Sequence, residues 1–163
     1  MADEEVIELN ESANDAATQA DAQPLVYLIA DDLRSAIDYA ALFGVNAVVE
    51  ACPVFDTESE TERVGVSLAE TRFELNARRS LQEYLTYRIV RYKTVEDASA
   101  IAAFNAIDEL KRLTEFLSTV TITQSGRTFV VDSITSEPID QEQLIQRLLY
   151  CGTIDVTLTE ARG

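Results

Sequence analysis

Between residues 63 and 119 the chain carries two alternating runs and then one long helical stripe, and that succession constrains the fold more than any other stretch. Val64, Val66 and Leu68 alternate with polar or small residues, the period of a half-buried strand. Asn76-Ala77-Arg78-Arg79-Ser80 interrupts the alternation with turn-prone and charged residues. It resumes over residues 83–93, with Leu85, Tyr87 and Ile89 on one face and Tyr84, Thr86, Arg88, Val90 and Tyr92 on the other. Two β-rich runs joined by so short a loop predict an antiparallel hairpin. Thr94-Val95-Glu96-Asp97 then has the spacing of a capping box. Ile101, Phe104, Ile107, Leu110, Leu113 and Phe116/Leu117 recur at steps of three or four. That predicts a helix over residues 97–117 with this stripe inward and Phe104 central to the core.

A hairpin with one apolar face and a helix with one apolar stripe should pack on each other. The parity of the first strand changes, from Val64, Val66 and Leu68 to Phe73 and Leu75, so a bulge is expected near residues 69–71. The hairpin is therefore long and bent, and its tip, with Arg78 and Arg79, projects beyond the sheet.

Charge restricts what such a unit can do. Thirteen Lys and Arg stand against 29 Asp and Glu, a formal net charge of −16. Such a chain repels phosphate backbones and favours neutral or basic partners. It has no histidine, which removes the commonest general base, the commonest metal ligand and every Ser-His or Cys-His nucleophile. Cys52 and Cys151 fit no metal-ligand spacing; flanked by apolar residues, they read as buried free thiols of a reducing compartment, with a disulfide as the alternative. No signal-peptide pattern opens the chain, and no apolar run approaches the roughly 18 residues of a membrane span. A soluble cytosolic protein of one domain is the expectation, since 163 residues with 47% hydrophobic content suit a single core.

Residues 1–24 hold seven acidic residues and no basic one, and are expected to form an acidic flexible arm. Val6, Ile7 and Leu9 make a small apolar patch in it, either solvated or ordered against a neighbour. Residues 25–163 read as one α+β domain. A first helix over residues 25–43 puts Leu25, Ile29, Leu33, Ile37 and Ala40 on one face, with Gly44 past its end. Asp31 and Asp32 diverge by about 100° on that helix and read as a solvated face rather than an acid–base or cation site. Residues 45–54 read as a strand ended by Pro53. Asp56, Glu58, Glu60 and Glu62 follow in an exposed acidic loop that lacks the glycine and alternating acids of a calcium loop.

After the long helix, residues 120–123 and 128–134 flank Ser125-Gly126, a hairpin signal. Asp140 caps a short helix whose apolar face is Leu144, Ile145, Leu148 and Leu149, closed by Cys151-Gly152. Residues 153–159 alternate strictly, with Ile154, Val156 and Leu158 inward. The fold class is α+β: an antiparallel or mixed sheet with two main helices packed on one face, in the order α-β-β-β-α-β-β-α-β.

This order resembles the tail terminator (tail completion) proteins of tailed bacteriophages and the related neck proteins. Two stretches carry the likeness. One is Arg78-Arg79-Ser80-Leu81-Gln82-Glu83-Tyr84 leading into Tyr87-Arg88-Ile89-Val90-Arg91-Tyr92; the other is residues 136–158, an acidic loop with proline, a short helix and an alternating strand. The resemblance spans about residues 25–160. It implies a non-enzymatic subunit of a hexameric ring at the virion neck, which ends tail-tube growth and joins tail to head. It implies as partners further copies of the chain, the tail tube protein and a neck or head-completion protein. Assembly would take place in the host bacterial cytoplasm, and the acidic ring would surround DNA without gripping it. Arg78, Arg79 and Glu83 on the hairpin, and Val6, Ile7 and Leu9 on the arm, are the expected subunit or tube contacts. No catalytic, cofactor-binding or metal-binding residue is expected. Two other classes remain open: an acidic inhibitor that imitates DNA or another protein-binding module, and a carboxylate-based enzyme built on Asp31/Asp32 or residues 56–62.

Overall fold

The computed structural model describes residues 23–53, 61–96 and 99–161. The elements run α1 (Leu25–Ala40), β1 (Ala47–Val49), β2 (Glu62–Leu75), β3 (Leu81–Thr94), α2 (Ala100–Leu117), β4 (Thr121–Gln124), β5 (Arg127–Glu137), α3 (Gln141–Arg147) and β6 (Leu149–Glu160). The α+β order read from the sequence holds throughout. The strands form one mixed sheet in the order β1-β2-β3-β6-β5-β4. Only β1 is parallel to its neighbour; every other pairing is antiparallel.

One core forms between the sheet and the two main helices. Leu85, Tyr87 and Ile89 of β3 lie beside Leu158, Val156 and Ile154 of β6, and Val66 pairs with Ile89. Ile29, Leu33 and Ile37 of α1 and Leu110, Leu113 and Leu117 of α2 pack on this same face. The Tyr87 hydroxyl donates to the Val26 carbonyl at 2.8 Å and ties α1 to the centre of the sheet. The opposite face is polar: Thr86 and Thr157 share a hydrogen bond at 2.8 Å, and Arg88 pairs with Asp155 at 2.9 Å. An antiparallel sheet with one covered face accounts for the alternation in its strands.

The core face also holds one charged side chain that the sequence reading put nowhere. Arg91, 1% exposed, sits opposite Val64 and Gly152. Its guanidinium pairs with Glu62 at 2.9 Å, pairs with Glu109 of α2, and lies 4.5 Å over the Phe43 ring. A buried cation needs such partners, because an isolated one would cost several kcal/mol.

Several local expectations are corrected. The first helix ends at Ala40, and Ala41 takes the left-handed position (φ 53°) expected of Gly44. The strand over residues 45–54 shrinks to Ala47–Val49, because the chain folds over β2 at Glu50, whose carboxylate pairs with Arg63 at 2.7 Å. Glu62 is no loop residue; it opens β2 and holds Arg91. Thr94 ends β3 rather than capping α2, and its amide donates to the Thr61 carbonyl at 2.9 Å. Ser99 caps α2 instead, its side chain accepting from the Ala102 amide at 3.3 Å. The short helix stops at Arg147, since Leu149 and Tyr150 are taken into the ladder against Thr94 and Lys93. Asp140 does cap it, accepting from the Gln143 amide. Cys52 is exposed and Cys151 half-buried; both are free.

The inward face of α2 is also rotated from the expected stripe. Ala106, Leu110, Leu113 and Leu117 are buried, whereas Ile101 is 76% and Phe104 68% exposed. Phe104 is therefore not a core residue. Successive three-residue steps each fall about 60° short of a full helical turn, so Ile101 stands about 180° from Leu110. A run at 101, 104, 107 and 110 winds around the helix instead of following one side.

Candidate assembly surface

The β2–β3 hairpin outruns every neighbour it has. β1 covers the outer edge of β2 only over Val64–Val66, and β6 pairs with β3 only from Tyr84 onward. Beyond these limits no other strand pairs with the hairpin among the described residues, and side-chain contacts reach it at Gln82 and Glu83.

A bulge decides which side chains line this free part. Register shifts between Leu68 and Glu70, so Leu68 faces Tyr87 and Glu70 faces Thr86. Before the shift, Val64 and Val66 lie on the core face; after it, Thr71, Phe73 and Leu75 lie opposite Leu85, Glu83 and Leu81 on that same face. The parity change in the sequence is thus absorbed by one extra residue. The core face consequently continues past the helices as a blade of Phe73 (55% exposed), Leu75 (73%) and Leu81 (56%). The other side of the blade is polar, with Arg72 4.6 Å over the Tyr84 ring and 3.4 Å from Glu74.

The tip is a built turn. Asn76 Oδ1 accepts from the amides of Arg78 and Ser80, each at 3.0 Å, and its carbonyl accepts from the Arg79 amide at 2.9 Å. Arg79 takes φ 56°, a strained choice for a side chain with a Cβ. The turn presents Arg78 and Arg79 to solvent, and neither makes an ion pair among the described residues. Glu83 lies further back, 3.4 Å from Arg127, which also holds Glu160 at 2.7 Å. Those carboxylates, the hydrogen-bonded Glu160 first, raise the Arg127 pKa. Gln82 donates to the Thr159 hydroxyl, and Thr159 donates to the Glu83 carbonyl at 3.0 Å. Glu83 thus anchors the base of the hairpin, while the arginines crown its tip.

The other candidates are less concentrated. Val6, Ile7, Leu9, Asp56, Glu58 and Glu60 lie outside the described residues. Asp31 accepts from Arg34 at 2.7 Å and Asp32 from Gln124 at 2.6 Å, so the pair diverges onto separate partners. Among the described residues no group of three or more Cys, Asp or Glu side chains could hold a metal ion. No described helix is long and apolar enough to cross a membrane. The sequence reading placed the tip correctly but gave Leu81 no role and put Phe104 inside; the i+3 spacing noted above was the available signal.

No family model and no curated protein matches this chain. Among solved structures it is similar to a chain of the "Virion of native gene transfer agent (GTA) particle", with TM-score 0.43 and 12% identity over 78% of this chain and 89% of that one.

Proposed function

We propose that this chain is a non-enzymatic structural subunit that assembles with copies of itself into a ring, in the manner of a phage neck that ends the tail tube and joins tail to head. The observation that carries this reading is the hairpin blade. Phe73, Leu75 and Leu81 extend the core face into solvent and end in Arg78 and Arg79, on a chain of net charge −16. An exposed apolar patch of this kind marks an interaction surface. A basic tip on an acidic body finds its complement on another copy of that body. The tube protein and the head-side neighbour are the further partners, with Val6, Ile7 and Leu9 as a second contact. The acidic residues Asp56, Glu58 and Glu60 add to the charge that lets a duplex pass without being held, whereas Glu62 is taken up by Arg91.

The test is sedimentation velocity and electron microscopy of the purified protein across salt concentrations. Like-charge repulsion should hold copies apart at low salt, and moderate salt should favour closed rings. Replacing Arg78 and Arg79 by glutamate should abolish them. A protein that stays monomeric at every salt concentration, yet binds a basic DNA-binding protein tightly at low salt, would overturn the reading in favour of the acidic inhibitor.

A further inference from the structure

We infer that the blade of one copy seats in the groove between α2 and the β5–α3 link of the next copy. This rests on the proposed self-assembly and names its receiving surface. The groove has a volume of about 450 Å³ and is lined by Ile107, Lys111, Thr114, Glu115, Ser136 and Pro138. Phe104, 68% exposed, stands one three-residue step before Ile107, about 60° round the helix, and extends the apolar surface of α2 beside the groove. Phe73, Leu75 and Leu81 are the matching apolar strip of the blade. Glu115 on the groove rim offers a carboxylate to Arg78 and Arg79; Lys111 sits on the same rim and favours the Glu74 side of the blade.

Geometry excludes a copy from filling its own groove. Glu137, beside the groove, pairs with Thr153, which pairs with Val90 of β3. Nine residues of strand separate Val90 from Leu81, which is about 30 Å at roughly 3.3 Å per residue. Blade and groove lie at different ends of the sheet, on β2–β3 and against β5. A contact between two unlike surfaces repeats from copy to copy, and closes into a ring where the rotation allows.

The experiment uses two full-length variants, Leu75→Asp on the blade and Phe104→Asp on α2 next to the groove's Ile107, with mass measured by sedimentation at the salt where wild type assembles. Both positions are exposed, and unchanged melting curves would confirm that both variants fold. Each variant alone should be monomeric. Their equimolar mixture should give heterodimers and nothing larger, because one intact blade and one intact groove remain. Wild-type assembly by Phe104→Asp, or two folded monomeric variants that fail to pair when mixed, would overturn the groove as the receptor while leaving self-assembly standing. A wild type that never associates would overturn both.

Discussion

Gly65 lies beneath the carboxylate of Glu50: a Cβ at position 65 would stand 1.9 Å from Glu50 Oε1. That carboxylate is 8% exposed and holds Arg63 through Oε2, while Oε1 has no hydrogen-bond partner among the described residues. The close approach joins β1 to the polar face of β2 at the point where the chain leaves the sheet.

Gly65→Ala should therefore destabilise by about 1–3 kcal/mol, the usual cost of forcing an extra methyl into a packed site. In a Glu50→Ala background the same change should be neutral or stabilising, since alanine suits a strand better than glycine. Urea unfolding of the four proteins of this cycle measures the coupling. Additive effects would show that Glu50 moves aside freely.

Arg91→Ala should cost about 3–5 kcal/mol, because it strands Glu62 and Glu109 around a buried void. Arg91→Met should cost less when paired with Glu62→Gln and Glu109→Gln, since the apolar stem still packs on Phe43 and no carboxylate is left alone. Denaturant midpoints of the single and triple variants give the comparison. A triple variant no more stable than Arg91→Ala would mean that charge pairing is not what Arg91 contributes.

Two substitutions on α2 separate its faces. Leu110→Ala should cost about 2–5 kcal/mol, as for a fully buried leucine, and Phe104→Ala less than about 1 kcal/mol, as for a surface site. Thermal unfolding of the protein at low salt, where the monomer dominates, is the measurement. Equal costs would contradict the rotated face.

The two cysteines should react at very different rates. Burial, then Asp140, push the Cys151 thiol up to about 11, so at pH 8 it is almost wholly protonated. Cys52 is exposed. Iodoacetamide followed by peptide mapping should find Cys52 modified rapidly and Cys151 slowly. Burial pushes the Tyr150 hydroxyl up to about 12 from its ordinary 10.0. Both groups release their proton less readily folded than unfolded. Their contribution is complete below pH 9 for the thiol and pH 10 for the phenol, and stability is lost as pH rises through the folded values. Denaturant midpoints should fall steadily between about pH 9 and 12. A flat profile there would mean that neither group is held protonated by the fold.

Periodicity is local, so the order of elements could be read from it. Ile154, Val156 and Leu158 point inward as their alternation requires, and Ser125 and Gly126 take φ 53° and 75° as their hairpin turn requires. The bulge between Leu68 and Glu70 was legible for the same reason, since an apolar run that changes parity has to gain a residue to stay on one face. Limits and partners were not local. Whether Thr94 caps a helix or ends a strand depends on Thr61 and Leu149 being beside it, and those lie far along the chain.

The sequence by itself determined which residues alternate, which recur with helical spacing and where turns fall, because those follow from backbone geometry and side-chain type. Only the tertiary structure decided how far each apolar face is covered. Phe73, Leu75 and Leu81 carry the pattern of a buried strand face, yet the helices end before reaching them. Arg91 falls by its parity on the inward face with Leu85, Tyr87 and Ile89, and only the arrival of Glu62 and Glu109 beside it lets a charge stay there. Burial is set by what lies above a residue, and that depends on packing between distant segments, which no local period encodes.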